Sequence, residues 1–478
     1  MTRFIGRKQE LNGLKGLLKK KVSSLVVIRG RRRIGKSRLA EEFAKAFTKH
    51  YMLTGVPPEK GVTAKDQRDE FARQMKRLKI PIKGLDDWGD LLTDLALHCT
   101  KGSVLIILDE ITWMGSLDPT FLPKLKTIWD THFKKNSQLI LVISGSNSAW
   151  IEKNILSSTG FVGRLSFQLQ LKELPLYLCN EFWGGIKNKI DSYEKFKILA
   201  ITGGIPRYLE EVRTDLSAEQ NILHLCYQPT GILFSEFDQI FSDLFAKKNR
   251  IYKELVRQVA NGKSTLTEIA ESIGRVKSGK ISEYLDDLVE AGFLAKDGSW
   301  NIGKEREERL SHFRVCDNYV RFYLKYIEPS KNRILAGRIS TLPKGWKSMM
   351  GLQFENLVCN NVDSLLSALE LTPDEVVWSG PYFQKSGARQ ECCQIDYLIQ
   401  TKHRVLYICE IKFSDREVPY IVLKEIKEKS RRLKRPKGFS IRHVLIHVNG
   451  VSEGLEQDEF ISNIVNFGDF LNRVIRDG

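Results

Sequence analysis

The amino-acid sequence predicts an α/β protein whose amino-terminal part is built on a parallel β-sheet. Three short apolar runs carry this prediction, namely Ser24–Ile28, Val104–Leu108 and Leu139–Ile143. Segments with helical spacing lie between them, such as Arg38–Phe47 and Leu122–Phe133, and this alternation of strand and helix is typical of a doubly wound parallel sheet. Because ligands bind at the carboxyl ends of the strands in such sheets, the residues that follow each run are the first candidates for a site.

The first apolar run leads into a glycine-containing loop, GRRRIGKS, and we expect a helix to begin at Lys36. The glycines let backbone N–H groups face phosphate oxygens at a helix N-terminus that favours anions. Lys36 is expected to contact the β- and γ-phosphates of ATP, and Ser37 the Mg²⁺ ion. The alternative, an ordinary glycine-containing turn, is disfavoured by the flanking strand and helix. The residues expected to bind the cofactor here are Gly30, Arg31, Arg32, Arg33, Ile34, Gly35, Lys36, Ser37 and Arg38.

The other two apolar runs also end in polar residues. Asp109 and Glu110 follow the second run, and we expect Asp109 to hold Mg²⁺ and Glu110 to polarise the attacking water. An acidic pair after a strand is weak evidence for a nucleotide site by itself, but it is strong evidence beside the phosphate-binding loop (P-loop) GRRRIGKS. Lys36 and Glu110 are therefore the predicted catalytic residues of an ATPase. After the third run, Ser144 or Ser146 is expected to sense the γ-phosphate.

Several segments, in this order, resemble the archaeal-type ATPase family, a member of the AAA+ and STAND division of P-loop proteins that is also found in bacteria. They are FIGRKQEL from Phe4, the P-loop, LDE, ISGSN, Gly163-Arg164 and GGIPRYL from Gly203. The resemblance implies that Phe4, Gly6 and Arg7 line the adenine pocket. It also makes Arg164 an arginine-finger candidate and Arg207 a possible sensor, although either residue is alternatively an ordinary surface or phosphate-contacting arginine.

The pattern changes after Thr230 to short helices with small turns. Three helical segments precede a hairpin-like turn with Asp297-Gly298 at its expected tip, and together these elements predict a winged helix. The helical segments are Ile251–Val259, Leu266–Ile273 and Ser282–Val289.

Three basic residues, Arg275, Lys277 and Lys280, lie just ahead of the third helical segment and are candidates for phosphate contacts. Winged helices in P-loop ATPases also act as lids or protein-contact modules, so contact with DNA stays one of two alternatives.

Near the carboxyl end, two apolar strands are predicted, Gln394–Gln400 and Arg404–Phe413. A turn centred near His403 would place Asp396 opposite Glu410. Lys412 shares a face with Glu410, because side chains two apart on a strand point the same way. Charged groups within apolar strands are costly unless they are paired or bound to metal. Two carboxylates suit Mg²⁺ and a lysine suits the developing charge of a phosphodiester reaction.

This pattern, following a helix that carries Glu355, resembles the PD-(D/E)XK nuclease superfamily, although Ile395 stands where that pattern has proline. The resemblance implies an α/β nuclease-like domain in which Asp396, Glu410 and Lys412 are catalytic and Glu355, Asp396 and Glu410 bind metal. The alternative is a plain Glu–Lys pair on a strand edge. The basic run Lys424–Lys437 is predicted to continue as a helix that tracks a phosphate backbone or is simply solvated.

The length, charge and cysteine content of the chain limit the expected number of domains, the class of partner and the location. A chain of 478 residues is expected to form two to four domains, and we predict boundaries at 1–215 (ATPase with lid), 216–340 (winged helix and helical linker) and 341–478 (nuclease-like). The net charge of +17 favours nucleic acid, with DNA preferred, although a solvated basic surface is the alternative. Eight scattered cysteines without a CxxC pair and the lack of a long apolar run predict a cytoplasmic protein with reduced thiols and no membrane partner.

Together these patterns predict an ATP-hydrolysing protein that acts on nucleic acid through an Mg²⁺-dependent nuclease-like domain under nucleotide control. The alternatives are a regulatory switch of the STAND kind and a DNA-binding ATPase whose nuclease-like domain is inactive. A homo-oligomer is compatible with the sequence, which does not distinguish rings, dimers and monomers.

Overall fold

The computed structural model describes residues 4–57, 59, 61–84, 87–245, 248–387 and 391–472. The chain divides into two compact units. The first consists of Met1–Lys172, Asp238–Arg250 and Glu290–Gly292, and the second consists of Glu173–Phe237, Ile251–Val289 and Phe293–Gly478.

A parallel sheet organises the first unit and confirms the predicted fold class. Its strands are β1 (Ser24–Arg29), β2 (Lys49–Thr54), β3 (Val104–Asp109), β4 (Leu139–Gly145) and β5 (Leu165–Gln170). They lie in the order β2-β3-β4-β1-β5, and every neighbouring pair is parallel. Strands β1, β3 and β4 are almost wholly buried, which is why their sequences are continuous apolar runs.

Helices connect these strands and cover the sheet. They are α1 (Lys8–Gly16), α2 (Lys36–Ala44), α3 (Ala64–Arg77), α4 (Trp88–His98), α5 (Ile111–Ser116), α6 (Phe121–Thr131) and α7 (Ser148–Ile151). The core against α3 to α7 includes Trp88, which is fully buried and meets Phe71 and Phe121 edge to face at 5.2 and 4.6 Å. Thr63 begins α3 with a capping box, and the Asp87 carboxylate caps α4.

The middle of the chain is helical and ends in a hairpin. Its helices are α8 (Leu176–Cys179), α9 (Ser192–Thr202), α10 (Pro206–Leu209), α11 (Ala218–Cys226), α12 (Ile232–Phe245), α13 (Asn249–Ala260), α14 (Leu266–Ser272) and α15 (Gly279–Glu290). The antiparallel strands β6 (Leu294–Asn301) and β7 (Arg306–Val315) follow.

The three helices expected before the hairpin are thus present, but the predicted hairpin tip is wrong. Asp297 and Gly298 lie inside β6, opposite His312 and Ser311, and the chain turns at 302–305 instead. Asp297 is nearly buried and forms an ion pair with Arg314 at 2.8 Å, so burial rather than turn formation determines its place.

The carboxyl-terminal part contains a second, mixed sheet. Its helices are α16 (Asn318–Phe322), α17 (Lys331–Leu335), α18 (Met350–Cys359), α19 (Val362–Ala368), α20 (Val422–Arg432), α21 (Glu453–Glu456) and α22 (Phe467–Leu471). Its strands are β8 (Val376–Gln384), β9 (Cys393–Thr401), β10 (Val405–Lys412), β11 (Ser440–His447) and β12 (Asn463–Asn466). The order is β12-β11-β10-β9-β8, antiparallel from β8 to β10 and parallel from β10 to β12.

The basic run near the carboxyl end is less helical than predicted. Helix α20 ends at Arg432, and the residues that follow form an irregular segment before β11. Pro436 accounts for this, since proline cannot donate a helical hydrogen bond and disfavours helix in the residue before it. The cations of this run therefore lie partly on a helix and partly on a loop.

The segment Glu173–Phe237 packs within the second unit, whereas the predicted amino-terminal domain extends to 215. Buried polar contacts join it to later parts of that unit. The Gln353 amide donates to the Ala200 carbonyl at 2.7 Å, and the Tyr319 hydroxyl donates to the Leu233 carbonyl at 2.8 Å. The predicted three-part division stays a prediction.

In the described part of the chain, no helix combines the length and apolarity needed to cross a membrane.

Candidate functional site

The loop between β1 and α2 has the backbone geometry that its glycines predict. Gly30 and Gly35 have φ of 149° and 95°, values at which side chains are strained. A Cβ added to Gly30 would lie 2.5 Å from the Leu171 carbonyl oxygen. Helix α2 begins at Lys36, as predicted.

Lys36 lies inside this loop. Its Nζ donates to the carbonyl oxygens of Gly30 and Arg31 at 2.9 and 3.1 Å. Burial lowers the pKa of Lys36, against the opposing attraction of Glu110 and Asp109. The ammonium is therefore held at the centre of the loop, facing the two acidic residues at the end of β3.

The residues at the carboxyl ends of β1, β3 and β4 meet, as the topology predicts. The Ser37 hydroxyl donates to Asp109 Oδ2 at 2.7 Å, so the two predicted magnesium ligands are adjacent. Ser144 donates to the other oxygen of Asp109. The hydroxyl and the backbone N–H of Ser146 donate to Glu110 Oε2 at 2.7 and 3.1 Å. The two serines expected to sense phosphate thus hold the acidic side chains.

This donor set fits Mg²⁺, which prefers oxygen ligands and commonly binds through one or two protein oxygens plus those of a nucleotide. Ser37 and Asp109 supply such oxygens side by side. Glu110 adopts a left-handed backbone conformation, with φ of 49°, which turns it out of the strand line.

Most of the other residues predicted to bind ATP are buried in the loop or form ion pairs next to it. Ile34 is buried, Arg33 has a positive φ of 66°, and Arg31 is buried. Arg32 forms an ion pair with Asp243, and Arg38 on α2 pairs with Glu41 at 3.4 Å.

The resemblance placed Phe4, Gly6 and Arg7 in the adenine pocket. In the structure, Arg7 is buried and donates to the Ile34 carbonyl at 3.3 Å and to the Lys172 carbonyl. Arg7 therefore braces the phosphate loop from outside, while Phe4 and Gly6 lie in the segment that precedes α1.

The structure does not bring Arg164 to the phosphate loop of its own chain. Arg164 immediately precedes β5, whose first residue pairs with Leu25 near the start of β1. The loop lies beyond the other end of β1, about 16 Å away at roughly 3.3 Å per residue. Arg164 instead holds Asp130 in a bidentate pair at 3.0 and 2.9 Å, which lowers the pKa of Asp130 to about 2.

Arg207 belongs to the second unit. It lies on α10, half exposed, and pairs with Glu210 and Glu211 at 3.1 and 2.5 Å. Its predicted role as a sensor stays a prediction.

In the second sheet, the predicted register of β9 and β10 is confirmed. Cys409 pairs with Tyr397, so the next residues, Glu410 and Asp396, are adjacent across the two strands. The backbone N–H of Ile411 donates to Asp396 Oδ2 at 2.9 Å. Lys412 Nζ lies 2.9 Å from Glu410 Oε1. Asp396, Glu410 and Lys412 therefore converge at one end of β10.

Lys429 on α20 completes this cluster, and sequence reasoning did not single it out. Its Nζ lies 2.8 and 2.7 Å from the two oxygens of Glu410 and 3.2 Å from Asp396 Oδ1. Its only sequence signal was membership of the basic run, because the contact depends on how α20 packs over the sheet.

Glu410 is almost fully buried at 1% side-chain exposure. Burial and Asp396 raise its pKa, while Lys429 and Lys412 oppose the rise. Glu355 on α18 is close enough to interact: burial, then Asp396, raise the pKa of Glu355 to about 7, against Arg321 and Lys429. The carboxylates thus form a group whose charge is balanced by lysines.

The contacts of Asp396 and Glu410 indicate which kind of ion the cluster could hold. Asp396 and Glu410 direct their oxygens at one cation, the Lys429 ammonium, so the position between them suits a positive charge. Among residues 4–472, as far as they are described, no three or more His, Cys, Asp or Glu side chains form a ready metal-binding group. The two carboxylates fit a divalent ion if that ion replaces the lysine ammonium.

The basic residues Arg275, Lys277 and Lys280 are exposed on and just before α15. Their predicted contact with phosphates stays a prediction.

Comparisons with known proteins agree with the first of these sites. Residues 4–212 match the family model of an ATPase domain predominantly from Archaea. An uncharacterized protein of Methanocaldococcus jannaschii is 25% identical over 363 residues, which cover 74% of this chain and 76% of that protein.

Two solved structures are also similar. The Walker-type ATPase Paby2304 of Pyrococcus abyssi is 16% identical, with a TM-score of 0.48, over 67% of this chain and 96% of that one. The ORC2 protein of Aeropyrum pernix, solved with ADPNP and ADP, is 17% identical, with a TM-score of 0.40, over 70% and 96% of the two chains.

The family match covers the phosphate loop, the acidic pair after β3 and the serines after β4. Residues 4–212 are therefore similar to an ATPase domain found predominantly in Archaea, and this match supports nucleotide binding.

Proposed function

We propose that this protein hydrolyses ATP and uses the nucleotide state to control an Mg²⁺-dependent nuclease-like centre that acts on nucleic acid, preferentially DNA. In the ATPase, Gly30 to Ser37 bind the phosphates and Lys36 neutralises their charge. Glu110 orients the attacking water and accepts its proton, and Ser146 holds that carboxylate in place. Mg²⁺, held by Ser37 and Asp109, would supply charge neutralisation at the phosphate oxygens when bound.

The second centre is proposed from the convergence of Asp396, Glu410 and Lys412 at one end of a buried strand. Leu406, Ile408 and Glu410 occupy alternate positions of β10, so Glu410 continues a face whose other residues are buried and apolar. A carboxylate at such a position is costly unless it has a cationic partner. Two lysines and an aspartate surround this carboxylate. The cluster is therefore a candidate catalytic centre, and its ion pairs also stabilise the fold.

In this proposal Asp396 and Glu410 hold a divalent cation, and Glu355 assists from α18. The cation, when bound, would activate water and stabilise negative charge on a phosphodiester. Lys412 lies 2.9 Å from Glu410 and 2.8 Å from Glu425, and it would orient the water or stabilise the developing charge. Lys429 must leave the carboxylates before a cation binds there.

The alternative functions use the same residues differently. In a regulatory switch of the STAND kind, nucleotide state changes partner contacts and the carboxyl-terminal centre only binds. In a DNA-binding ATPase with an inactive nuclease-like domain, the Lys429 contacts with Asp396 and Glu410 are permanent ion pairs that stabilise the fold.

The deciding experiment incubates the full chain with linear, circular and single-stranded DNA or RNA and with Mg²⁺ or Mn²⁺, with and without ATP. We expect cleavage that falls at least about 100-fold in Glu410→Gln and Lys412→Ala. Lys402→Ala is the matched control, since Lys402 is exposed in the turn between β9 and β10. Cleavage that is equal in all four proteins contradicts the proposed centre, and the thermal melt of each variant identifies a folding defect.

A further inference from the structure

We infer that a groove beside the second centre binds a single strand of nucleic acid and leads its backbone to Asp396 and Glu410. This inference rests on the proposed nuclease-like function and names the substrate class of that centre. The groove consists of two adjoining cavities within the second unit, of about 650 and 580 Å³. Phe383, Gln384 and Lys385 line both, so the cavities adjoin at the end of β8.

One end of the groove reaches Lys429, the residue that contacts the carboxylates. Lys429 lines the first cavity, and the same ammonium contacts both oxygens of Glu410 and one oxygen of Asp396. The other end lies between the β6–β7 turn and the loop after α20, where Lys304 and Arg435 face the second cavity. The hairpin that the sequence assigned to a wing is therefore one wall of a path to the second centre.

The charge of the groove fits a polyanion. Six cationic side chains line it against two carboxylates, those of Glu308 and Glu428. The cations are Lys304, Lys385, Lys429, Arg432, Lys434 and Arg435. Such a row follows a phosphate backbone without reading sequence.

The backbone that carries several of these cations, in the segment after α20, is held in place by hydrogen bonds. Gln384 is buried at 9% exposure, and its amide nitrogen donates to the Arg432 carbonyl at 2.8 Å. Its amide oxygen accepts from the Lys434 N–H at 2.8 Å. One side chain of β8 therefore ties down the segment that leaves α20, and the basic residues on it project from an anchored backbone.

The size and lining of the groove favour a single strand over a duplex. Each cavity has the volume of a pocket for one small molecule, which suits separate nucleotides better than a stacked double helix. The first cavity also contains His312 and Phe383, whose rings stack at 4.3 Å and are only partly buried. Basic grooves with aromatic surfaces are typical of proteins that bind single strands.

The test measures binding separately from cleavage. Fluorescence anisotropy follows a labelled single-stranded oligonucleotide of about 20 nucleotides, and the duplex of the same length, in EDTA. The triple variant Lys304→Ala, Lys434→Ala and Arg435→Ala should bind the single strand on the order of tenfold to hundredfold more weakly. Its slope of log affinity against log salt should fall by about 2, since each phosphate contact on a single strand contributes about 0.7.

The matched control is Lys21→Ala, Lys101→Ala and Lys402→Ala, which removes the same charge from exposed positions outside the groove. Equal weakening in both triple variants would overturn the inference, because only net charge would then matter. Unchanged binding of the single strand by the groove variant would also overturn the inference. So would a wild-type protein that binds the duplex more tightly than the single strand, if the groove variant binds that duplex equally well. If the groove variant loses binding while the wild type shows no cleavage, the inference about the groove is supported and the proposed nuclease activity is rejected.

Discussion

The two charged centres of this protein satisfy their carboxylates in opposite ways. In the first unit, Asp109 and Glu110 accept hydrogen bonds from the neutral hydroxyls of Ser37, Ser144 and Ser146. In the second, Asp396 and Glu410 are paired with the Lys429 ammonium, and Lys412 adds a further cation. Hydroxyls hold carboxylates without removing their charge, whereas ammonium groups neutralise it.

This difference indicates how ready each centre is for a cation. The first keeps its negative charge beside Lys36 and offers adjacent oxygens of Ser37 and Asp109. The second already contains a cation of its own, so a metal ion has to compete with Lys429 for the same oxygens. We therefore expect a preformed nucleotide site in the first unit and, in the second, a metal site with an internal competitor.

The largest effect is expected in the first centre. Lys36→Ala should lower ATP turnover at least about 100-fold, because it removes the buried ammonium that is proposed to neutralise the charge of the phosphates. Lys45→Ala is the control, since Lys45 follows the same helix, is exposed and pairs with Glu42. Steady-state phosphate release measures both, and turnover in Lys36→Ala close to the wild-type rate would reject the assignment of this loop.

The competitor in the second centre is tested by Lys429→Met. Removing the ammonium leaves Glu410 and Asp396 without their shared partner. The free energy of unfolding should fall by about 3 kcal/mol, which is the lower end of the range for breaking a buried ion pair. Millimolar Mg²⁺ or Ca²⁺ should raise the melting temperature of the variant more than that of the wild type. Lys424→Met, on the exposed side of α20, should show neither effect. Equal metal responses in all three proteins would mean that Lys429 does not compete with a cation.

A smaller and pH-dependent effect is expected within the second sheet, at His443 on β11. Its ring lies 2.9 Å from the Ser430 hydroxyl and 4.0 Å from the Phe460 ring centroid, and burial lowers the pKa of His443 to about 4. Below the ordinary histidine pKa of about 6.5 the unfolded chain takes up a proton that the folded chain refuses, so stability is lost as pH falls from 6.5 towards 4.

This loss should reach at most about 3 kcal/mol, the equivalent of the shift in pKa. His443→Gln should flatten the acid limb of the melting temperature between pH 6.5 and 4. Some of the slope should remain, because burial also lowers the pKa of His447. An identical acid limb in the variant would show that His443 is not buried in its neutral form.

The smallest effect is expected for Arg164→Ala. The pair with Asp130 is partly exposed and screened by solvent, so its loss should change the melting temperature little and leave ATP affinity unchanged. Weakened ATP binding would contradict the position of Arg164 at the far end of the sheet. Lower turnover that recovers when wild-type protein is mixed in would assign Arg164 to the site of a neighbouring copy.

Sequence patterns were most informative where the contacts are local. The phosphate loop, the start of α2 at Lys36 and the alternation of buried strands with helices follow from neighbouring residues, and all were predicted. The pairing of Asp396 with Glu410 was also predictable, since a short turn fixes the register of a hairpin. The hairpin tip at Asp297-Gly298 was wrong because burial beside Arg314 outweighs the turn preference of that dipeptide.

Two features were decided only by tertiary structure. Lys429 reaches the carboxylates because α20 packs against β9, and nothing in a basic run shows which of its lysines will be turned inward. Arg164 lies away from the phosphate loop because β5 runs parallel to β1, which places its first residue at the opposite edge of the sheet. The sequence by itself determined the order of the motifs and the chemistry of their side chains. Which charges meet depends on helix packing and strand order, and these join residues that are far apart in the chain.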